Sequence, residues 1–111
     1  MSYFKEVNNK AKSELTEYIN DRLNDLKIDI SNTDLYELHH ELFNTDYYVI
    51  GYYDAKQKLT EWDIDPLDAL NMIQEYEIEQ FGEITKRDIN HETVLNMVVY
   101  ILGEELLQSM V

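Results

Sequence analysis

The chain has 111 residues, 44% of them apolar, and sets 23 acids against 9 bases for a net charge of −14. That length gives one domain with one modest core, and the apolar content excludes global disorder. The absence of cysteine excludes a disulfide framework, thiolate catalysis and thiolate zinc sites, while charge of this sign repels nucleic acid and anionic membrane and attracts basic protein surfaces. It is also unevenly spread: residues 1–30 hold six acids and five bases, and the rest of the chain holds seventeen acids and four bases.

In chain order, residues 2–27 are predicted as an amphipathic helix. Phe4, Val7, Ala11, Leu15, Tyr18, Leu23 and Leu26 recur at helical spacing, and Ser2 can cap the start. The stretch IDISNTD at 28–34 breaks that pattern. A short helix over 34–43 follows, with Leu35, Leu38, Leu42 and Phe43 on one face and Asn32 or Thr33 as its cap. Asn-Thr-Asp returns at 44–46, again ahead of an apolar segment. A cap at Asn44 or Thr45 makes YYVIGYY the start of a helix that continues through DAKQKLTEW, with Tyr48, Tyr52, Ala55, Leu59 and Trp62 in one stripe. Gly51 costs about 1 kcal/mol inside such a helix, and close approach of another backbone would account for it.

The clearest helix start lies at Asp65, with Pro66 in the first helical position and Asp68 in the first turn. That helix carries Leu67, Leu70, Ile73, Tyr76 and Phe81 and ends at Gly82. The last helix, about 91–108, has Asn90 as cap and is apolar on more than one face, as a central or interface helix must be. The sum is an all-α, compact bundle of four to five helices forming a single acidic domain over 1–111.

Few residues suggest reaction chemistry. Glu37-x-x-His40 has the spacing of half a di-iron bundle site, and Asp88-x-x-His91 resembles it, but a full site needs two such motifs and two further glutamates. His39 and His40 are therefore expected at the helix surface or rim. There is no glycine-flanked nucleophile elbow and no phosphate loop. No enzyme activity, cofactor or metal is expected. The apolar run VVYIL at 98–102 is too short to span a bilayer, and the first residues lack the apolar core of a signal peptide.

Two features remain. Tyr47, Tyr48, Tyr52 and Tyr53 crowd into seven residues and cannot all face one core, so some belong to the surface or an interface. The acids of the later two-thirds, Asp63, Asp65, Asp68, Glu75 and Glu79 among them, sit largely off the apolar stripes. Helix neighbours three or four apart lie about 5–6 Å from each other, a scale comparable to successive DNA phosphates. A helical body can therefore offer carboxylates where a DNA-binding protein expects phosphates.

The stretches DLYELHHELFNTDYYVIGYYDAKQKL (34–59), ALNMIQEYEIEQFGEI (69–84) and LNMVVYILGEELL (95–107) resemble small uncharacterised proteins of tailed bacteriophages. In size, acidity, helical content and tyrosine usage the chain is also similar to the phage antirestriction DNA mimics of the Ocr type, though less acidic and without a strongly acidic tail. The resemblance implies a non-enzymatic inhibitor in the cytoplasm of a bacterial host. Its partner would be a basic DNA-binding host protein, with no direct contact to nucleic acid or membrane. From the carboxylate surface itself, and not from the resemblance, Asp63, Asp65, Asp68, Glu75 and Glu79 are expected as phosphate stand-ins, with Tyr52 and Tyr53 as aromatic anchors. The alternative is a helical interaction module or homodimer that uses the tyrosine surface.

Overall fold

The computed structural model describes residues 9–43, 54–84 and 90–110. Among them the fold is all-α. The helices are α1 (Asn9–Leu26), α2 (Leu35–Phe43), α3 (Ala55–Glu61), α4 (Pro66–Phe81) and α5 (His91–Ser109), with a 3-10 turn at Ile30–Asn32. α5 is the hub: α1, α2, α3 and α4 each pack against it. Its sequence explains the placement, because Val94, Leu95, Val98, Val99, Ile101, Leu102 and Leu107 are buried and lie most of the way round the helix. Ala11, Leu15 and Ile19 of α1, Leu38, Leu42 and Phe43 of α2, Leu59 and Trp62 at α3, and Ala69, Ile73 and Tyr76 of α4 complete one core.

Several starts and stops follow the predicted chemistry. Asp65 caps α4 by accepting from Leu67 N and Asp68 N, Pro66 opens the helix, and Gly82 closes it at φ 78°. Asn90 caps α5 by accepting from Thr93 N. α1 ends at Leu26 as the pattern implies; Ser2, Phe4 and Val7 lie outside the described residues.

Other expectations are corrected. The cap of α2 is Asp34, whose Oδ1 accepts from Tyr36 N and Glu37 N. Asn32 and Thr33 are engaged instead with Asp29, closing the 3-10 turn. The helix through DAKQKLTEW does not run on from the preceding segment. Asp54 has extended backbone and accepts from Gln57 N, so α3 begins at Ala55. A short acid that offers its own oxygen to the first free amides starts a new helix more readily than it continues an old one. Asn44, Thr45 and YYVIGYY, Gly51 included, lie outside the described residues.

His39 is buried at 5% exposure rather than at the rim, because α2 is wedged against α5 on that side and the ring finds a partner there. Leu67 and Phe81 are exposed, at 74% and 65%, rather than part of the buried stripe of α4. That stripe is instead Ala69, Ile73, Tyr76 and the buried Glu77.

Candidate functional site

α4 has three faces. At 3.6 residues per turn, Ala69, Ile73, Tyr76 and Glu77 point to the core. Asp68, Glu75 and Glu79, spaced i, i+7 and i+11, share a second side and are all exposed. Leu67, Ile78 and Phe81, spaced i, i+11 and i+14, share a third and are also exposed.

The acidic row spans about 16 Å of helix axis, with a step of about 6 Å between Glu75 and Glu79. One strand of DNA carries about five phosphates over that length. Glu75 and Glu79 are like charges at i, i+4, which costs a helix about 0.2–0.5 kcal/mol.

Asp63 and Asp65 lie just before the helix, and both are exposed. Asp63 holds the left-handed position that ends α3, at φ 58°, where Asp63 N donates to Thr60 O and Ile64 N to Leu59 O. Asp65 spends Oδ1 on the α4 cap. The fold therefore brings Asp68, Glu75 and Glu79 onto one face, with Asp63 and Asp65 at its entrance. Tyr52 and Tyr53 lie outside the described residues.

A second site was not anticipated from the residues. Between α2, α4 and α5 lies a cavity of about 200 Å³ lined by Tyr36, His39, Tyr76, Phe81, Tyr100 and Glu104, among others. The i, i+4 pair Tyr100 and Glu104 was the available signal, two polar-tipped residues in an otherwise apolar helix. Tyr76 Oη donates to Glu104 Oε2 at 2.7 Å. Burial first, then this hydrogen bond and the Glu104 charge, hold the Tyr76 phenol well above its ordinary range. Burial, Glu104 and Tyr36 push Tyr100 the same way. His39 Nε2–H donates to the Tyr100 carbonyl at 2.8 Å, and the two rings lie 4.1 Å apart. Burial lowers the His39 pKa, against the opposing effects of that carbonyl and Glu104. The cavity thus holds neutral rings around one carboxylate.

His40, the histidine of Glu37-x-x-His40, is exposed and stacks on Tyr36 with 12° between the ring planes. Among the described residues no group of three or more histidine, aspartate or glutamate side chains is placed to hold a metal ion. Nor is any described helix long and apolar enough to cross a membrane.

No protein-family model, curated protein or solved structure matches the chain.

Proposed function

We propose that this chain is a non-enzymatic, phage-type inhibitor that acts as a DNA mimic. It would occupy the basic DNA-binding groove of a host defence or nucleic-acid enzyme of restriction or CRISPR type. The observation that supports this reading is the row Asp68, Glu75 and Glu79, exposed on one side of α4 with Asp63 and Asp65 at its start. A carboxylate row on a packed helix is held in place before binding, and a net charge of −14 steers it towards basic surfaces. The test is phage plating on a restricting or CRISPR-immune host that expresses the chain. Plating should rise with the parent protein and fall back with Asp68→Asn, Glu75→Gln and Glu79→Gln combined. The captured enzyme should be released by duplex DNA and by rising salt, since exposed charges are screened over about 8–10 Å. Capture that is indifferent to both salt and DNA refutes mimicry.

A second reading, a helical interaction module or homodimer, is favoured by one observation. Leu67, Ile78 and Phe81 form an exposed apolar side of α4 beside the acidic row. Under this reading Leu67→Ala with Phe81→Ala abolishes association, measured by sedimentation, while its salt response stays shallow. Tyr52→Ala with Tyr53→Ala tests the tyrosine surface in the same way.

A further inference from the structure

The cavity between α2, α4 and α5 has a chemical character of its own. At about 200 Å³ it is smaller than the roughly 300–1,000 Å³ of a site for a drug-sized ligand, and suits one side chain or a small ion. Its walls bring together four aromatic rings, those of Tyr36, Tyr76, Phe81 and Tyr100. Tyr36 and Phe81 are largely exposed, at 73% and 65%, while Tyr76 is buried and Tyr100 half-buried. Glu104 is the carboxylate in the wall, and among the described residues no lysine or arginine lines the cavity.

The hydrogen bonds decide which groups a ligand could use. The Tyr76 hydroxyl is spent on Glu104 Oε2. Glu104 Oε1 is met by Gln108 Nε2 at 3.5 Å, the outer limit of a hydrogen bond, so it retains acceptor capacity. His39 is anchored by the Tyr100 carbonyl. An anion entering here would meet Glu104 and the aromatic rings, with no lysine or arginine among the described lining residues to attract it. A cation would meet both favourably, since ring faces attract positive charge and a carboxylate strengthens a hydrogen bond from a charged donor. A planar guanidinium also stacks on aromatic faces, which a compact ammonium does not.

We propose that this cavity is a binding site for an organic cation, the guanidinium of an arginine side chain presented by a partner polypeptide. Its rings provide the stacking walls and Glu104 the charged acceptor. The site goes beyond the α4 reading and stands apart from it, because none of Asp68, Glu75 and Glu79 lines the cavity.

The probes are N-acetyl-arginine methylamide, its lysine counterpart, and the neutral isostere N-acetyl-citrulline methylamide. Each is titrated into the intact protein and followed by backbone amide shifts. The arginine compound is expected to give saturable shifts at Tyr36, His39, Tyr100 and Glu104, with a dissociation constant on the order of millimolar. Citrulline should bind about tenfold more weakly or not at all, and lysine more weakly than arginine. Glu104→Gln keeps an acceptor for the Tyr76 hydroxyl but removes the charge, and should weaken arginine binding by about tenfold. Tyr36→Ala, at an exposed position, gives a second variant that leaves the core intact and should also weaken it. Equal binding of citrulline and arginine, unchanged affinity in Glu104→Gln or Tyr36→Ala, or shifts confined to the α4 acids would each overturn the assignment.

Discussion

The ring of Phe43 on α2 fills the space that a side chain at residue 103 of α5 would need. A Cβ built on Gly103 stands 2.5 Å from Phe43 Cε2 and 2.6 Å from Cζ. Phe43 is buried and held between the rings of Tyr18 and His39, at 5.6 and 5.8 Å, so it cannot swing aside freely. Gly103→Ala gains about 1 kcal/mol of helix propensity but incurs overpacking of about 1–3 kcal/mol. A net loss of up to about 2 kcal/mol is expected in urea unfolding. In a Phe43→Leu background the same change should be neutral or stabilising. A Gly103→Ala protein more stable than its parent contradicts the contact.

Glu14 ties α1 to the end of α3. Its Oε2 accepts from the Trp62 indole at 2.8 Å and from Lys58 Nζ at 3.3 Å, and Lys58 reaches Glu61 at 3.0 Å as well. Trp62 is 1% exposed, so Glu14→Ala leaves a buried indole N–H without this acceptor. Such a loss costs about 1–3 kcal/mol. Glu14→Gln keeps an acceptor and should cost about 1 kcal/mol or less. Fluorescence of Trp62, the single tryptophan, reports both unfolding curves.

His39 makes stability depend on pH in the mildly acidic range. Burial holds its pKa in the folded state below the ordinary 6.5. The unfolded chain therefore binds the proton first as pH falls, and the folded state loses ground. The contribution of the neutral ring is complete above 6.5 and declines as pH drops towards the folded value. Melting temperatures measured from pH 7 to pH 5.5 should fall in the parent and fall less in His39→Gln, which keeps a donor for the Tyr100 carbonyl. Identical slopes for the two proteins would remove His39 from the account.

Asp65 has two separable roles. Asp65→Ala removes the α4 cap and should cost about 0.5–2 kcal/mol. Asp65→Asn keeps an oxygen for Leu67 N and Asp68 N and should be close to neutral in stability. Any loss of partner binding in Asp65→Asn then reports charge alone. A large drop in melting temperature for Asp65→Asn would show that the charge at the helix start matters more than the cap.

What could be read in advance was local. The start of α4 at Asp65-Pro66, its stop at Gly82 and the start of α5 at Asn90 depend on side chains within a few residues of the amides they satisfy, so the order of amino acids is enough to place them. The central position of α5 was equally legible, because a helix apolar on most sides has to be covered on most sides. The alignment of Asp68, Glu75 and Glu79 likewise follows from helical spacing once α4 is recognised.

What depended on the whole fold was decided by partners far along the chain. His39 is buried because the Tyr100 carbonyl, 61 residues away, lies within reach of its ring. Leu67 and Phe81 are apolar yet exposed, because the core takes α4 on the side of Ala69, Ile73 and Tyr76. The ring of Phe43 takes the space beside Gly103, a contact between α2 and α5 that neither helix announces by itself. The cavity around Glu104 exists only where three helices meet. Periodicity fixes which residues share a side of one helix, but the packing of α2 and α4 on α5 decides which sides meet and which are left open to a partner.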